Sequence, residues 1–141
     1  MKKGQSLIIQ FVLFFIIGFT IFVTIGSFFK SQSDAFRIES TDYNVKLANS
    51  YLSSFAVGLI DTCKGCDYAS IQIKVENTTA GYYFLGNLNK RGLNVSTSWG
   101  GLQYINSIHN LNSSTVFTGN SSSAKTISLT FNRTKNELRM E

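Results

Sequence analysis

Cys63 and Cys66, spaced as Cys-Lys-Gly-Cys, carry the most obvious chemistry in this 141-residue chain. Two thiols at that spacing can close a disulfide, run thiol–disulfide exchange or supply half a zinc site. In an oxidising compartment the structural bridge is the default, and Gly65 supplies a permissive turn. So small a loop gains little entropy, so its role would be to pin the end of a helix. A thioredoxin-type pair has the same spacing but opens a helix after a strand, whereas this pair falls where an amphipathic helix should close. Zinc needs two further ligands, and His109 is the chain's single histidine. That histidine is surrounded by no Gly-x-Ser-x-Gly element, and a surface or loop position is expected for it. The acids Asp61, Asp67, Glu76, Glu137 and Glu141 form no convincing pair, and no glycine-rich phosphate loop is present. These residues point to a chain that is not an enzyme and has no cofactor and no metal.

Five Asn-x-Ser/Thr triplets, at Asn77, Asn94, Asn112, Asn120 and Asn132, are candidate N-glycosylation sites, each in or near a predicted turn or strand end. Their joint presence suits an exported surface. The net charge of +5 does not indicate nucleic acid, because Lys2 and Lys3 belong to the N-terminal head. The other basic residues are scattered among the acids without forming a stripe.

The elements that must position these residues begin with an apolar run. From Leu7 to Phe29 the polar side chains are Gln10, Thr20, Thr24 and Ser27 alone, and no residue is charged. At about 1.5 Å per residue such a helix reaches roughly 34 Å, enough for a hydrocarbon layer of about 30 Å. Lys2, Lys3 and the amino terminus precede it, so the positive-inside tendency places the N-terminus in the cytoplasm and the chain after Lys30 outside. An ordinary cleaved secretory signal would have a shorter apolar core ending in small residues.

Met1-Lys2-Lys3-Gly4-Gln5-Ser6-Leu7, followed directly by that run, resembles the class III signal of archaeal type IV pilins, archaellins and their relatives. The resemblance implies cleavage by a prepilin peptidase between Gly4 and Gln5, before the apolar helix, which is then retained. Bacterial pilins usually carry a glutamate at the fifth mature position, where this chain has Ile9. Many archaeal members lack that acid too, so the departure favours an archaeal-type system. Ser6, Gly18, Thr20, Thr24 and Gly26 are small enough to let identical helices approach closely.

Past Lys30, Ala48, Tyr51, Leu52, Phe55, Ala56, Leu59 and Ile60 recur at three- and four-residue spacing, which predicts an amphipathic helix continuing the first with or without a break near Gly26 to Ser33. Ile71, Ile73 and Val75 alternate with polar residues as in a half-buried strand. Asn77–Gly81 reads as a turn leading to a partner strand at Tyr82–Leu85. Further strands are expected at Leu93–Val95, Leu102–Ile108 (after Gly100-Gly101), Val116–Phe117, Ile127–Phe131 and near Leu138–Met140, with Gly119–Ser123 and Arg133–Asn136 as loops. The fold class is therefore α+β, a long transmembrane helix continuing into an amphipathic helix packed on a small antiparallel β-sheet or β-sandwich head, pilin-like in layout. The expected divisions are a leader (1–4), a membrane or filament-core helix (5–30), a stalk helix (31–62) and an extracytoplasmic head (63–141).

The function this implies is a structural subunit of a type IV pilus-like surface filament, membrane-anchored before assembly, with a role in adhesion. Its partners would be the membrane, further copies of itself, the prepilin peptidase and the assembly machinery. The alternatives are an accessory envelope protein, such as a minor pilin or an archaellum-stator-like protein, and a membrane-tethered binding or redox protein using Cys63 and Cys66.

Overall fold

The computed structural model describes residues 2–75, 81–99, 101–108 and 114–141. Its first element is one unbroken helix, α1 (Lys2–Thr62), which runs straight through the Gly26–Ser33 stretch where the spacing left a break open. The chain contains no proline, so nothing removes an i→i−4 bond along its length. Among the described residues seven strands follow: β1 (Tyr68–Ile73), β2 (Phe84–Asn89), β3 (Gly92–Thr97), β4 (Gln103–Asn106), β5 (Val116–Ser122), β6 (Ile127–Asn132) and β7 (Glu137–Met140). They form a single sheet in the order β1-β6-β7-β5-β2-β3-β4, antiparallel except for the β5–β7 pair. The expected α+β class, with an N-terminal helix and a mostly antiparallel sheet, is borne out.

The chain divides into two compact units, Met1–Glu39 and Ser40–Glu141. The first is helix alone. In the second, the remainder of α1 lays Val45, Ala48, Leu52 and Ala56 into a core shared with Leu88, Leu93, Val95, Phe117, Ile127, Leu129, Phe131, Leu138 and Met140. In β6 apolar residues toward this core alternate with polar ones away from it: Ile127, Leu129 and Phe131 are buried between half-buried Ser128 and Thr130. Burying each large side chain contributes about 1.5–3 kcal/mol against the entropy of ordering the chain.

Two expectations are corrected. The expected 77–81 turn lies, up to residue 80, outside the described residues, and the strand that follows it in the chain is not the partner of β1; β2 pairs with β3 and β5, while β1 pairs with β6. The reason is register. Ile71 opposes Leu129 and Ile73 opposes Ile127, so apolar meets apolar on the core face. Gly119–Ser123 is also not simply a loop, because β5 continues to Ser122. Its first half, Val116–Gly119, pairs with β7 and its second half, Asn120–Ser122, with β2. Gly119, at φ 108°, marks the changeover between the two pairings.

The expected turn at Arg133–Asn136 is present, and a second closes β2 onto β3 at Asn89–Gly92. Asn89 Oδ1 accepts from the Arg91 N–H at 2.9 Å, and Asn132 Oδ1 from the Lys135 N–H at 3.1 Å, the local bonds that make asparagine a turn residue. Asn136 takes φ 48°. Its side chain accepts from Thr115 Oγ1 at 3.1 Å and donates to Ser114 Oγ at 2.7 Å, tying the β6–β7 loop to the start of β5.

Candidate functional site

In the first unit every large hydrophobic side chain from Leu7 to Phe29 is 47–75% exposed. Among the described residues this is the helix long and apolar enough to cross a membrane. Its polar side chains fit an apolar surrounding: Thr20 Oγ1 donates to the Ile16 carbonyl and Thr24 Oγ1 to the Thr20 carbonyl, both at 2.8 Å. With those hydroxyls satisfied one turn back, neither demands water. Gly4 and Gln5, the expected cleavage pair, lie near the start of α1. A Cβ added at Gly18 or Gly26 would meet nothing within 4 Å, so these small residues sit on uncovered surface.

The second unit also leaves apolar helix surface uncovered. Tyr43, Leu47 and Tyr51 recur at four-residue spacing and are 68%, 55% and 49% exposed. They lie on the side of the helix away from Val45, Leu52 and Ala56, all of which are buried. The spacing had grouped Tyr51 with the core stripe. The structure instead turns it outward and packs its ring edge-on against Phe55, with centroids 4.6 Å apart. In the sequence Tyr43 and Leu47 are the signal of this second stripe, beside core positions that satisfy the helical period by themselves.

Cys63 and Cys66 are disulfide-bonded, with Cα atoms 4.8 Å apart. The bridge closes the turn between the end of α1 and β1, and Cys63 lies in the core. Beside it a groove of about 710 Å³ runs between helix and edge strand, walled by Tyr51, Phe55, Leu59, Cys63 and Ile71. The motif thus ends a helix and precedes a strand, which is not the setting of a thioredoxin-type pair. Replacing both cysteines with alanine should lower the stability of the head by about 1–2 kcal/mol, the loop-closure contribution of so short a ring. Thermal unfolding under non-reducing conditions measures it, and an unchanged midpoint would remove the bridge from the list of stabilising features.

A polar cluster joins the helix to edge strand β4. Asp42 Oδ2 accepts from Lys46 Nζ at 2.7 Å, its Oδ1 accepts from Tyr104 Oη, and Lys46 Nζ stands 4.9 Å from the centre of the Tyr104 ring. Asn106 Nδ2 adds a bond to Ser53 Oγ at 3.2 Å. The hydrogen bond from Lys46, then that from Tyr104, holds the Asp42 carboxyl below the usual carboxylate range, and the Asp42 carboxylate holds Lys46 above the usual ammonium range. A lowered carboxyl stabilises the fold above its unfolded value of 3.8, and the contribution is lost as pH falls through the folded value. For Lys46 the sign is reversed: its contribution is present below 10.5 and is lost as pH rises through the folded value. Asp42→Asn should therefore lower the melting temperature at pH 7, with the difference from the parent shrinking as pH falls below about 4. Melts across pH 2–7 test it; a difference independent of pH would locate the effect elsewhere. Both side chains are partly exposed, so added salt should also shrink the difference.

Three of the five glycosylation candidates fall on described strands: Asn94 on β3, Asn120 on β5 and Asn132 at the end of β6. All three occupy the sheet face turned away from the helix, alternating with the core positions. Asn77, Asn112, His109, Glu76 and Gly100 lie outside the described residues. Asp61 pairs with Lys64 at the end of the helix, and Glu141 with Arg139 at 2.7 Å. Asp67 lends its carbonyl to the Arg133 N–H, and Glu137 accepts from Thr118 Oγ1 at 2.9 Å. These partners spread the acids over separate parts of the second unit. No grouping of metal-ligating side chains occurs among the described residues.

No family model, curated protein or solved structure matches this chain.

Proposed function

We propose that the chain is a structural subunit of a type IV pilus-like surface filament of archaeal type, held in the membrane by α1 until assembly and exposing its sheet outside the cell. The observation that carries this reading is the uncovered apolar helix surface, which occurs in both units. Lipid alone would cover Leu7–Phe29. Lipid does not account for Tyr43, Leu47 and Tyr51, which belong to the unit that also holds the polar strands. A bundle of sister helices would cover both stretches. In this reading the peptidase cuts between Gly4 and Gln5, the basic head of Met1–Gly4 is left behind, and the helix enters the filament core. The head, with its Ser/Thr/Asn-rich outer face, forms the surface used in attachment. Energy for assembly comes from a separate ATPase.

Mass spectrometry of the native protein's N-terminus, together with its abundance in sheared surface filaments, tests the proposal. A start at Gln5 and a high copy number in the sheared fraction are expected. A low, fixed stoichiometry in the envelope would replace the major-subunit role by an accessory one. A start beyond Ser27, or a monomer alone in cells with a working assembly system, would overturn the reading.

A further inference from the structure

The outer face of the sheet, given above to attachment, carries a groove of its own. Asn87 on β2 is registered directly opposite Asn94 on β3 and opposite Asn120 on β5, so three carboxamides stand in one row across three neighbouring strands. Strands are spaced about 4.8 Å apart, so the row spans roughly 10 Å. The adjacent row, set by the same registers, is Ser96, Leu85 and Ser122. The two rows line an open groove of about 720 Å³, within the range of small-ligand sites.

We infer that this groove binds a neutral saccharide. The first argument is the donor and acceptor set. A carboxamide presents one acceptor and two donors side by side, matching sugar hydroxyls, which are donors and acceptors at once. The row is partly oriented in advance: Asn89 Nδ2 donates to Asn87 Oδ1 at 3.0 Å, and Asn89 is itself held by the Arg91 N–H. Asn94 Oδ1 is shielded from solvent and accepts no hydrogen bond among the described residues. A carbonyl left in that condition is unfavourable, and turning the amide toward a hydroxyl donor in the groove would satisfy it.

Charge makes the second argument. Lys125 and Glu141 contribute one charge of each sign to the groove, so its lining carries no formal net charge and favours neither anions nor cations by sign. The third argument is Leu85, 42% exposed beside the amide row, which supplies an apolar patch for the C–H face of a sugar ring. This inference deepens the attachment role proposed above, but the chemistry belongs to the head alone and can fail or succeed independently of filament assembly.

The test uses the full chain, produced without glycosylation in detergent micelles and titrated with maltotriose, mannotriose, cellotriose and the trimer of N-acetylglucosamine. Side-chain amide resonances of asparagine are followed by NMR. At least one trisaccharide should bind in about the millimolar range or tighter, moving the signals of Asn87, Asn94 and Asn120. Asn87→Ala, which touches no glycosylation triplet, should weaken binding about fivefold or more, as expected for a lost neutral hydrogen-bond pair. Asn87→Trp should fill the groove and abolish binding, and Asn132→Ala, outside the groove, should leave it unchanged. Unmoved amide signals at about 20 mM of every sugar, or equal binding by Asn87→Ala and Asn87→Trp in a folded head, would overturn the inference. So would native protein carrying sugar on both Asn94 and Asn120, since those side chains would then be attachment points and not ligands. Loss of filaments with sugar binding intact would count against the filament reading alone.

Discussion

A chain carrying Leu47→Glu should insert into the membrane and fold its head normally, yet yield no filaments in the sheared fraction. Leu47 is 55% exposed at the centre of the Tyr43–Leu47–Tyr51 stripe. In the free subunit a carboxylate there remains in water, and a surface change of this kind shifts stability by no more than about 0.5 kcal/mol. In a bundle of sister helices the same carboxylate would be removed from water without a partner, at a cost of several kcal/mol. The cost recurs at every subunit, so a polymer magnifies it. Leu52→Glu, five positions on, should behave in the opposite way. Leu52 is 3% exposed in the core, and a charge there should unfold the head before assembly is reached. Melting temperature and electron microscopy of the two variants separate the cases. Abundant filaments from the Leu47 variant would remove the observation on which the proposed function stands.

Gly119→Ala, which adds one methyl group, should cost the head a large part of its stability. Gly119 has φ 108°, a region that side-chain-bearing residues avoid, and its added Cβ would lie 2.0 Å from the Met140 carbonyl oxygen. That oxygen belongs to the backbone of β7, paired with β5 at this residue, so it cannot swing aside as a flexible side chain would. Strain of about 1–3 kcal/mol from the dihedral and a comparable penalty from the clash predict a loss of at least about 3 kcal/mol. A small head with a total stability of about 5–15 kcal/mol would lose a large part of it. The break would fall where β5 passes from β7 to β2. Gly65→Ala is the control, because a Cβ there meets nothing within 4 Å. Urea unfolding of both variants measures the difference, and a Gly119→Ala loss below about 1 kcal/mol would mean that the changeover tolerates a side chain.

These two predictions draw on different sources. Leu47 could have been found in the sequence, as an apolar residue four positions from Tyr43 and Tyr51. Ala48, Leu52 and Ala56 account for the helical period by themselves, so the periodicity alone does not single it out. Gly119 could not have been found that way. In Gly-Asn-Ser-Ser-Ser it reads as an ordinary loop glycine, and its importance lies in the approach of a strand that arrives some twenty residues later. The asparagine row is of the same kind. Asn87, Asn94 and Asn120 become neighbours only through the registers of β2 with β3 and with β5. Likewise Asp42 and Tyr104, 62 positions apart, meet through packing that no local pattern encodes.

What this sequence determined by itself is whatever depends on neighbours along the chain: an uncharged apolar run long enough for a bilayer, a helix ending at a cysteine loop, and strands whose apolar residues alternate. Hydrophobic period and turn chemistry act within a few residues, so they can be read in one dimension. The tertiary structure decided which strands pair, that β1 lies beside β6 and not the next strand along, and which helix faces remain uncovered. Those choices rest on matching apolar faces between segments far apart in the chain, and many pairings satisfy the local pattern equally until the whole core is assembled.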